Sequence, residues 1–168
     1  MSYDASIDGP KMLAVFDIKG EIAAVTKRLS SLGIALPSEK NTAVTKDGLQ
    51  LCWVGQHHWL LLAEPQLEES LQHTLTPDDP SVDCRVVLVS DVHAIFRLIG
   101  PQADDVLAIA SPLDTRHKNF PIHGATFGDL FGIRALIMRQ GDGYITAIER
   151  SYADMISVYF SKILKGKS

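Results

Sequence analysis

The residues of this chain best suited to chemistry are histidines, carboxylates and serines that lie close together in the sequence. His57-His58 could ligate a metal ion, but adjacent residues of an extended chain point to opposite sides and no third ligand lies nearby, which favours a pair in a hairpin loop. Ser90, Asp91 and His93 are the residue types of a catalytic triad, yet a triad is assembled by the fold rather than by neighbours in sequence. The sequence therefore predicts no metal site and no catalytic residue.

Glycine and acidic motifs favour structural roles over cofactor binding. No G-x-G-x-x-G run follows a predicted strand, and the four glycines between 128 and 143 fall at predicted β-turns, so no dinucleotide-binding unit is expected. Asp104-Asp105 falls in the first turn of a predicted helix, where carboxylates complement the helix dipole. Glu149-Arg150 is either a ligand-binding corner or a solvated pair. No cofactor-binding residue is predicted.

Composition indicates an ordinary globular protein. The 168 residues are 46% apolar and 21% charged, with a net charge of −4, which gives no attraction to nucleic acid or anionic membranes. No apolar run approaches the ~20 residues that span a bilayer, and the first residues lack the pattern of a signal peptide. Cys52 and Cys84 are expected to be buried, reduced thiols of a cytoplasmic protein.

Hydrophobic periodicity predicts alternating strands and helices. An alternating strand, Met12–Ile18, precedes a helix that ends at Gly33, and Asp47-Gly48 is expected to close a hairpin between two β-rich runs. The elements predicted after the hairpin are the strand Trp59–Ala63, a helix through Leu67, Leu71 and Leu75, a buried run Val86–Val89, the strand His93–Ile99, a helix with Pro101 at its first position, a hairpin at Phe131-Gly132, the strand Tyr144–Ile148, and a last helix capped by Ser151 and Asp154.

A short repeat connects the two halves of this pattern. The segment AVFDIKG at 14–20 is echoed by AIFRLIG at 94–100, and each copy begins a β-α-β-β-β-α series. We therefore expect an α+β fold in which two similar halves, about 11–76 and 83–165 with a linker near 76–82, form one pseudo-symmetric domain. Each half would have an antiparallel sheet with helices on one face. Phe16 and Phe96 would be equivalent core residues.

The segment 111–123, SPLDTRHKNFPIH, is long for a loop in a compact domain, and such loops tend to be functional. It gathers Arg116, His117 and Lys118 beside Phe120 and Ile122, which suits a docking surface for a partner protein. In the alternative, Phe120 and Ile122 fold back onto their own sheet and the charges are merely solvated.

Several runs resemble a known family. IGPQADDVLA, SPLD followed by FP, and ERSYADMI are similar to the gamma subunit of heterotetrameric sarcosine oxidase, and VGQHHWLLLAEP in the first half is similar as well. The likeness covers most of residues 50–164. The chain is more distantly similar to the folate-binding domain of the glycine-cleavage aminomethyltransferase.

This resemblance implies a non-catalytic gamma subunit that supports the large (alpha) subunit, beside beta and delta subunits, in a complex that demethylates sarcosine oxidatively. FAD, FMN, NAD and tetrahydrofolate would be bound by those partners, with none on this chain. The folate-dependent relatives have a further C-terminal domain, whereas this sequence ends at Ser168, so independent folate chemistry is not expected.

Two alternatives stay open. The chain could be a free-standing tetrahydrofolate-binding protein or aminomethyltransferase-like enzyme, or it could belong to a different oxidase, such as one that acts on dimethylglycine.

Overall fold

A computed structural model describes residues 2–76 and 83–166 and shows a mixed α+β fold. The described residues form two antiparallel five-stranded sheets and four α-helices. The strands are β1 (Ser6–Lys11), β2 (Ala14–Gly20), β3 (Ala43–Lys46), β4 (Leu49–Gly55), β5 (His58–Ala63), β6 (Cys84–Leu88), β7 (His93–Ile99), β8 (Ala125–Leu130), β9 (Ile133–Gln140) and β10 (Gly143–Glu149). The helices are α1 (Ile22–Leu29), α2 (Glu68–Leu75), α3 (Ala103–Ala110) and α4 (Ala153–Lys165). The predicted α+β class is confirmed.

One compact unit, Leu13–Ser90, contains the sheet with the order β3-β4-β5-β2-β6. Its β3–β4 hairpin turns at Asp47 and Gly48, whose φ angles of 49° and 81° match the two left-handed positions of a type I′ turn, as predicted. The buried apolar residues of α1 and α2 pack against the sheet and form one hydrophobic core with it. Its large buried members include Phe16, Leu29, Leu51, Trp59, Leu61 and Leu75.

The second compact unit consists of the described parts of Met1–Met12 and Asp91–Ser168, and its sheet has the order β1-β7-β10-β9-β8. The β8–β9 hairpin turns at Phe131 and Gly132, again with two positive φ angles. Ala103, Val106, Leu107 and Ala110 of α3 are buried together with Ile156 and Phe160 of α4. Phe96 lies in this core, and its ring centroid is 6.1 Å from that of Phe160.

The strand that precedes each echo segment along the chain belongs to the sheet of the other echo segment. β1 immediately precedes β2 but pairs with β7, and β6 precedes β7 but pairs with β2. The compact units therefore differ from a simple division of the chain into 11–76 and 83–165. Sequence periodicity cannot reveal this exchange, because the period of a strand shows its buried face but not which strand it pairs with. Most of the predicted linker, residues 77–82, lies outside the described residues.

Several local predictions were wrong. Pro101 lies in the turn before α3, which begins at Ala103 with Gln102 as its N-cap residue. Ser151 does not cap α4; it lies in a short 3-10 helix and donates to Glu149 Oε1 at 2.7 Å. Val87 is exposed because β6 is an edge strand, so Val86–Val89 is not a buried run. Met12, the first residue of the predicted strand Met12–Ile18, lies outside β2 and is exposed.

The two cysteines are free thiols and both are buried, as predicted. Burial raises the pKa of the Cys52 thiol to about 12. Both lie in the unit Leu13–Ser90, one on β4 and one on the edge strand β6.

Candidate functional site

The loop over residues 111–123 joins the end of α3 to the start of β8. Ser111 N–H donates to the Leu107 carbonyl at 2.8 Å, which closes α3 with ordinary helical geometry. At the other end, the Gly124 carbonyl accepts from Arg139 N–H of β9 at 2.8 Å. Both ends of the loop are therefore fixed to regular structure.

Phe120 fixes the loop to the core of its own unit. Its side chain is only 3% exposed, and its ring stacks on Tyr144 with centroids 6.5 Å apart. A Cβ atom at Gly124 would lie 2.7 Å from the Phe120 ring, so a residue without a side chain is required there. Phe120 thus folds back onto its sheet and does not belong to the exposed surface, whereas Ile122 is 58% exposed.

A buried arginine supports the middle of the loop. Arg139 donates to the Thr115 carbonyl from Nη2, and its Nη1 lies 3.4 Å from Asp104 Oδ1. The guanidinium lies 4.9 Å from the centroid of the Tyr144 ring. The Tyr144 hydroxyl donates to the same Asp104 oxygen. Burial, followed by this hydrogen bond, raises the pKa of the Tyr144 phenol.

Sequence reasoning assigned Asp104 only to the helix dipole and gave Arg139 and Tyr144 no role. The sequence did contain a signal that Arg139 and Tyr144 are neighbours: they lie on either side of the turn at 140–143 and therefore face each other on β9 and β10. What the sequence could not reveal is that the loop carbonyl of Thr115 lies beside that pair.

Asp114 organises the exposed turn of the loop. Its carboxylate accepts from Arg116 Nε at 2.8 Å, from Arg116 Nη2 at 2.5 Å and from Asn119 Nδ2 at 2.5 Å. These hydrogen bonds hold the pKa of Asp114 well below its usual range. The same contact raises the pKa of Arg116. The turn therefore has a defined conformation, although its side chains face water.

Three of the four predicted interface residues lie on this exposed turn. Arg116, His117 and Lys118 are exposed, and the Arg116 side chain has a relative accessibility of 79%. The surface near the turn also contains Ile122 but not Phe120. We call residues 114–119 and Ile122 the loop surface. Its role as a partner interface stays a prediction.

The histidine pair lies at the β4–β5 turn. His57 has a φ of 56°, and its Nδ1 lies 3.7 Å from Glu21 Oε1. His58 Nε2 lies 3.1 Å from Asp17 Oδ1. Across residues 2–76 and 83–166, no group of three or more His, Cys, Asp or Glu side chains has the geometry to hold a metal ion.

The other residues singled out in the sequence contact backbone groups. Ser90 Oγ accepts from Val15 N–H at 3.0 Å. Glu149 and Arg150 are both exposed, as the solvated-pair alternative expects, and Arg150 donates to the carbonyls of Asp91 and His93 at 2.7 and 3.0 Å. In the described part of the chain, no helix is long and apolar enough to cross a membrane.

Comparison of solved structures identifies the class of fold. The chain is similar to heterotetrameric sarcosine oxidase from Corynebacterium sp. U-96, with a TM-score of 0.76 and 20% identity over 98% of this chain and 87% of that chain. It is also similar to glycine cleavage system aminomethyltransferase T from Bartonella henselae, with a TM-score of 0.68 and 18% identity over 95% of this chain. This second match spans only 46% of the aminomethyltransferase chain.

These two proteins define the class: a two-sheet α+β fold that occurs in an oxidase complex and in an aminomethyltransferase. Within that class, the model of the sarcosine oxidase gamma subunit family matches residues 19–164. The chain belongs to the sarcosine oxidase gamma subunit family. No curated protein sequence gives a significant match.

Proposed function

We propose that this chain is a non-catalytic gamma subunit that stabilises a sarcosine-oxidase-type complex by binding the large (alpha) subunit. The match of the family model over residues 19–164 is the observation that carries this proposal. In this proposal, the oxidation of sarcosine and the cofactors FAD, FMN, NAD and tetrahydrofolate belong to the alpha, beta and delta subunits. The isolated chain should then be colourless after gel filtration and should release no peroxide from sarcosine.

The loop surface is the contact that we assign to the alpha subunit. A loop that is ordered before binding loses less conformational entropy on association than a mobile one. The buried Arg139 and the stacked Phe120 supply that order from beneath, and Asp114 supplies it within the turn. This order holds the backbone from which the exposed side chains of His117 and Lys118 extend toward an acidic surface on the partner.

A charge-reversal variant tests this assignment. Arg116→Glu with Lys118→Glu should weaken co-elution with the alpha subunit, because the loop surface then repels an acidic partner. Thermal stability should change little, since both side chains are exposed. Lys162→Glu with Lys165→Glu, at the exposed end of α4, makes the same change in net charge elsewhere in the unit and should leave assembly intact.

The outcomes separate the two parts of the proposal. Normal co-elution of the loop variant would move the interface to another surface and leave the subunit role standing. If the wild-type chain fails to associate with the alpha subunit when all four subunits are co-expressed, the subunit role itself is wrong.

A free-standing folate protein is the second candidate, favoured by the similarity in fold to aminomethyltransferase T. Isothermal titration of the isolated chain with tetrahydrofolate distinguishes the candidates. Heat that fits micromolar binding supports the folate protein, and no heat supports the gamma subunit.

We also infer that the fold arose by duplication of a half-sized unit. Three features support this inference. The two sheets have matching strand orders when β6-β2-β5-β4-β3 is read against β1-β7-β10-β9-β8. Trp59 pairs with Ile18 and Tyr144 with Leu98, which are equivalent positions on the echo strands.

The third feature is the glycine that ends each echo segment. A Cβ atom at Gly20 would lie 2.2 Å from the Asp83 carbonyl oxygen, and one at Gly100 would lie 2.8 Å from that of Asp4. No side chain fits at either glycine, because Gly20 lies against the residue before β6 and Gly100 lies against the segment before β1. The arrangement of the halves as one pseudo-symmetric domain stays a prediction.

A further inference from the structure

The terminal strands of the two sheets differ in how well their open edges are protected against pairing with another strand. Natural edge strands are commonly protected by proline, charge, irregularity or short length. Three of the four edges have such features: β1 has Pro10 and an irregular register between Asp8 and Lys11, β3 has only four residues and ends in Lys46, and β8 contains Gly128 and Asp129.

The fourth edge, β6, is less protected: Arg85 is its only charged residue, and its register against β2 is regular. Its sequence, CRVVL, contains no proline, glycine or acidic residue. Val87 is 54% exposed, and Val86 and Leu88 pack against the core of their unit while remaining partly accessible. An apolar, β-branched edge of this kind is a favourable site for strand addition.

The hydrogen-bond pattern shows which backbone groups β6 presents at its open side. Val89 N–H donates to the Val15 carbonyl at 2.8 Å, and Glu21 N–H donates to the Asp83 carbonyl at 3.0 Å. Hydrogen-bonded pairs alternate in an antiparallel ladder, so Arg85 and Val87 also face β2 with their backbone groups. The N–H and C=O groups of the residues between them, 84, 86 and 88, therefore point outward. The described residues supply no hydrogen-bond partner for these outward groups.

The charges around this edge indicate the chemistry of what would bind there. Arg85 is exposed on β6 itself and pairs with Lys19 of β2, and Lys27 and Arg28 lie in the last turn of α1. The acidic residues at this edge are fewer: Asp17 opposite Val87, and Asp83 just before the strand. Burial raises the pKa of the Cys84 thiol, while the nearby Arg28 guanidinium acts in the opposite direction. A second copy of this chain would bring the same cations together across the edge, whereas an acidic strand would be attracted to them.

We propose that β6 accepts an extended, acidic segment of a partner subunit as a sixth strand of its sheet. This inference rests on the proposed role as a subunit of a larger complex. The backbone of the added segment would pair with residues 84, 86 and 88, and an apolar side chain of the segment would cover Val87. A carboxylate near Arg85 would fix the direction and register of the segment.

Amide hydrogen exchange gives the direct test. The probe is the complex formed by co-expressing this chain with the alpha, beta and delta subunits of the same organism, compared with the isolated chain. In the isolated chain, the amides of Val86 and Leu88 should exchange quickly, and those of Arg85 and Val87 slowly. In the complex, the amides of Val86 and Leu88 should slow by about tenfold or more, as expected of newly formed ladder hydrogen bonds.

A proline variant tests the same edge by affinity. Val86→Pro removes an outward N–H without removing a bond to β2, and should weaken association by about tenfold or more. The matched control is Thr45→Pro on β3. Since Trp53 N–H donates to the Thr42 carbonyl, alternation also points the Thr45 N–H outward at the opposite edge of the sheet. This control should bind normally. If Val86→Pro does not fold, Arg85→Glu, at an exposed side chain, tests the acidic partner and should also weaken association.

Each result has a defined meaning. Fast exchange at Val86 and Leu88 within a stable complex, or normal affinity of Arg85→Glu, overturns the inference while leaving the subunit role intact. Protection of the two amides that rises with the concentration of the isolated chain shows self-association instead, and also overturns it. Failure of the wild-type chain to form the complex overturns the proposed function and this inference together.

Discussion

The same cross-strand position is filled very differently in the two sheets. In the unit Leu13–Ser90, Trp53 on β4 faces Trp59 on β5, and the two rings stack with centroids 6.0 Å apart. In the other unit, Arg139 on β9 faces Tyr144 on β10, and the guanidinium lies 4.9 Å from the ring centroid. Trp59 and Tyr144 pair with equivalent residues of the echo strands, so the two sites correspond.

The difference shows how the same position in two similar sheets can have two different structural roles. In the aromatic pair, Trp53 donates its indole N–H to the nearby Gly55 carbonyl at 2.9 Å, whereas the buried Trp59 Nε1 has no hydrogen-bond partner among the described residues. An arginine cannot be satisfied by one ring, because a buried guanidinium needs hydrogen-bond acceptors. Arg139 finds them at Thr115 and Asp104, and so ties the loop over 111–123 to the sheet.

The largest expected effect tests whether the two sheets are equivalent at all. Phe16 and Phe96 are each 1% exposed, so replacing either with alanine should cost ~3–5 kcal/mol from lost burial and the cavity left behind. Urea unfolding of Phe16→Ala and Phe96→Ala measures both. If either variant loses less than ~1 kcal/mol of unfolding free energy, that phenylalanine is not the core residue that the comparison requires.

The next effect concerns the arginine. Arg139→Leu should cost about 1–3 kcal/mol, because the Thr115 carbonyl and Asp104 lose a buried partner. It should also accelerate amide exchange over residues 113–119. The control is Arg134→Leu on the same strand, where the exposed side chain lies 4.2 Å from the Phe127 ring centroid and a change within about 0.5 kcal/mol is expected. Equal costs for the two variants would contradict the supporting role of Arg139.

Alkaline pH should test one position that differs between the two sheets, Cys52, for which the corresponding residue on β9 is the non-titrating Met138. Burial raises the pKa of Cys52 from 9.0 to about 12, so its contribution to stability is complete below pH 9 and is lost as the pH rises toward 12. At pH 10 the loss should be about 1.4 kcal/mol. Urea unfolding of Cys52→Ala at pH 8 and pH 10 should show a smaller decrease in stability than the wild type. If Cys52→Ala loses as much stability between pH 8 and pH 10 as the wild type, other titrating groups cause the loss.

The smallest expected effect lies in the exposed turn. Asp114→Asn should leave the midpoint of unfolding unchanged, because the hydrogen bonds of Asp114 are at the surface. It should still loosen the turn, so amide exchange at Arg116, whose N–H donates to Asp114 at 3.1 Å, should become faster. Binding to the alpha subunit should weaken if the loop surface is the interface. Unchanged exchange at Arg116 would show that the turn is held from below, by Arg139 alone.

Much of the local structure follows directly from the sequence. The two hairpins at Asp47-Gly48 and Phe131-Gly132 lie where predicted, because two-residue turns need positive φ and few residue pairs provide it. The strand His93–Ile99 also lies where predicted, since the alternation of apolar residues follows from the two-residue period of a strand. Helix starts were less predictable: Pro101 is suited to a first helical turn, but here it lies in the turn before α3.

Only the exposed charged residues of the candidate site could be predicted from the sequence. Arg116, His117 and Lys118 are exposed on one turn as the sequence indicates, because charged side chains in a long polar loop remain in water. The burial of Phe120 was left open between two alternatives, and its position depends on a gap beside Tyr144 and on the missing side chain of Gly124. No pattern within the loop encodes either neighbour.

The sequence by itself determined the α+β class, the repeated order of elements and the two-residue turns, because each depends on residues that are close along the chain. Only the tertiary structure decided that β1 and β6 exchange sheets, that Arg139 holds the loop, and that β6 has an open edge. These features depend on hydrogen-bond partners dozens of residues apart. A strand's own sequence sets its period and its buried face, but its partner is set by where the rest of the chain brings a matching edge.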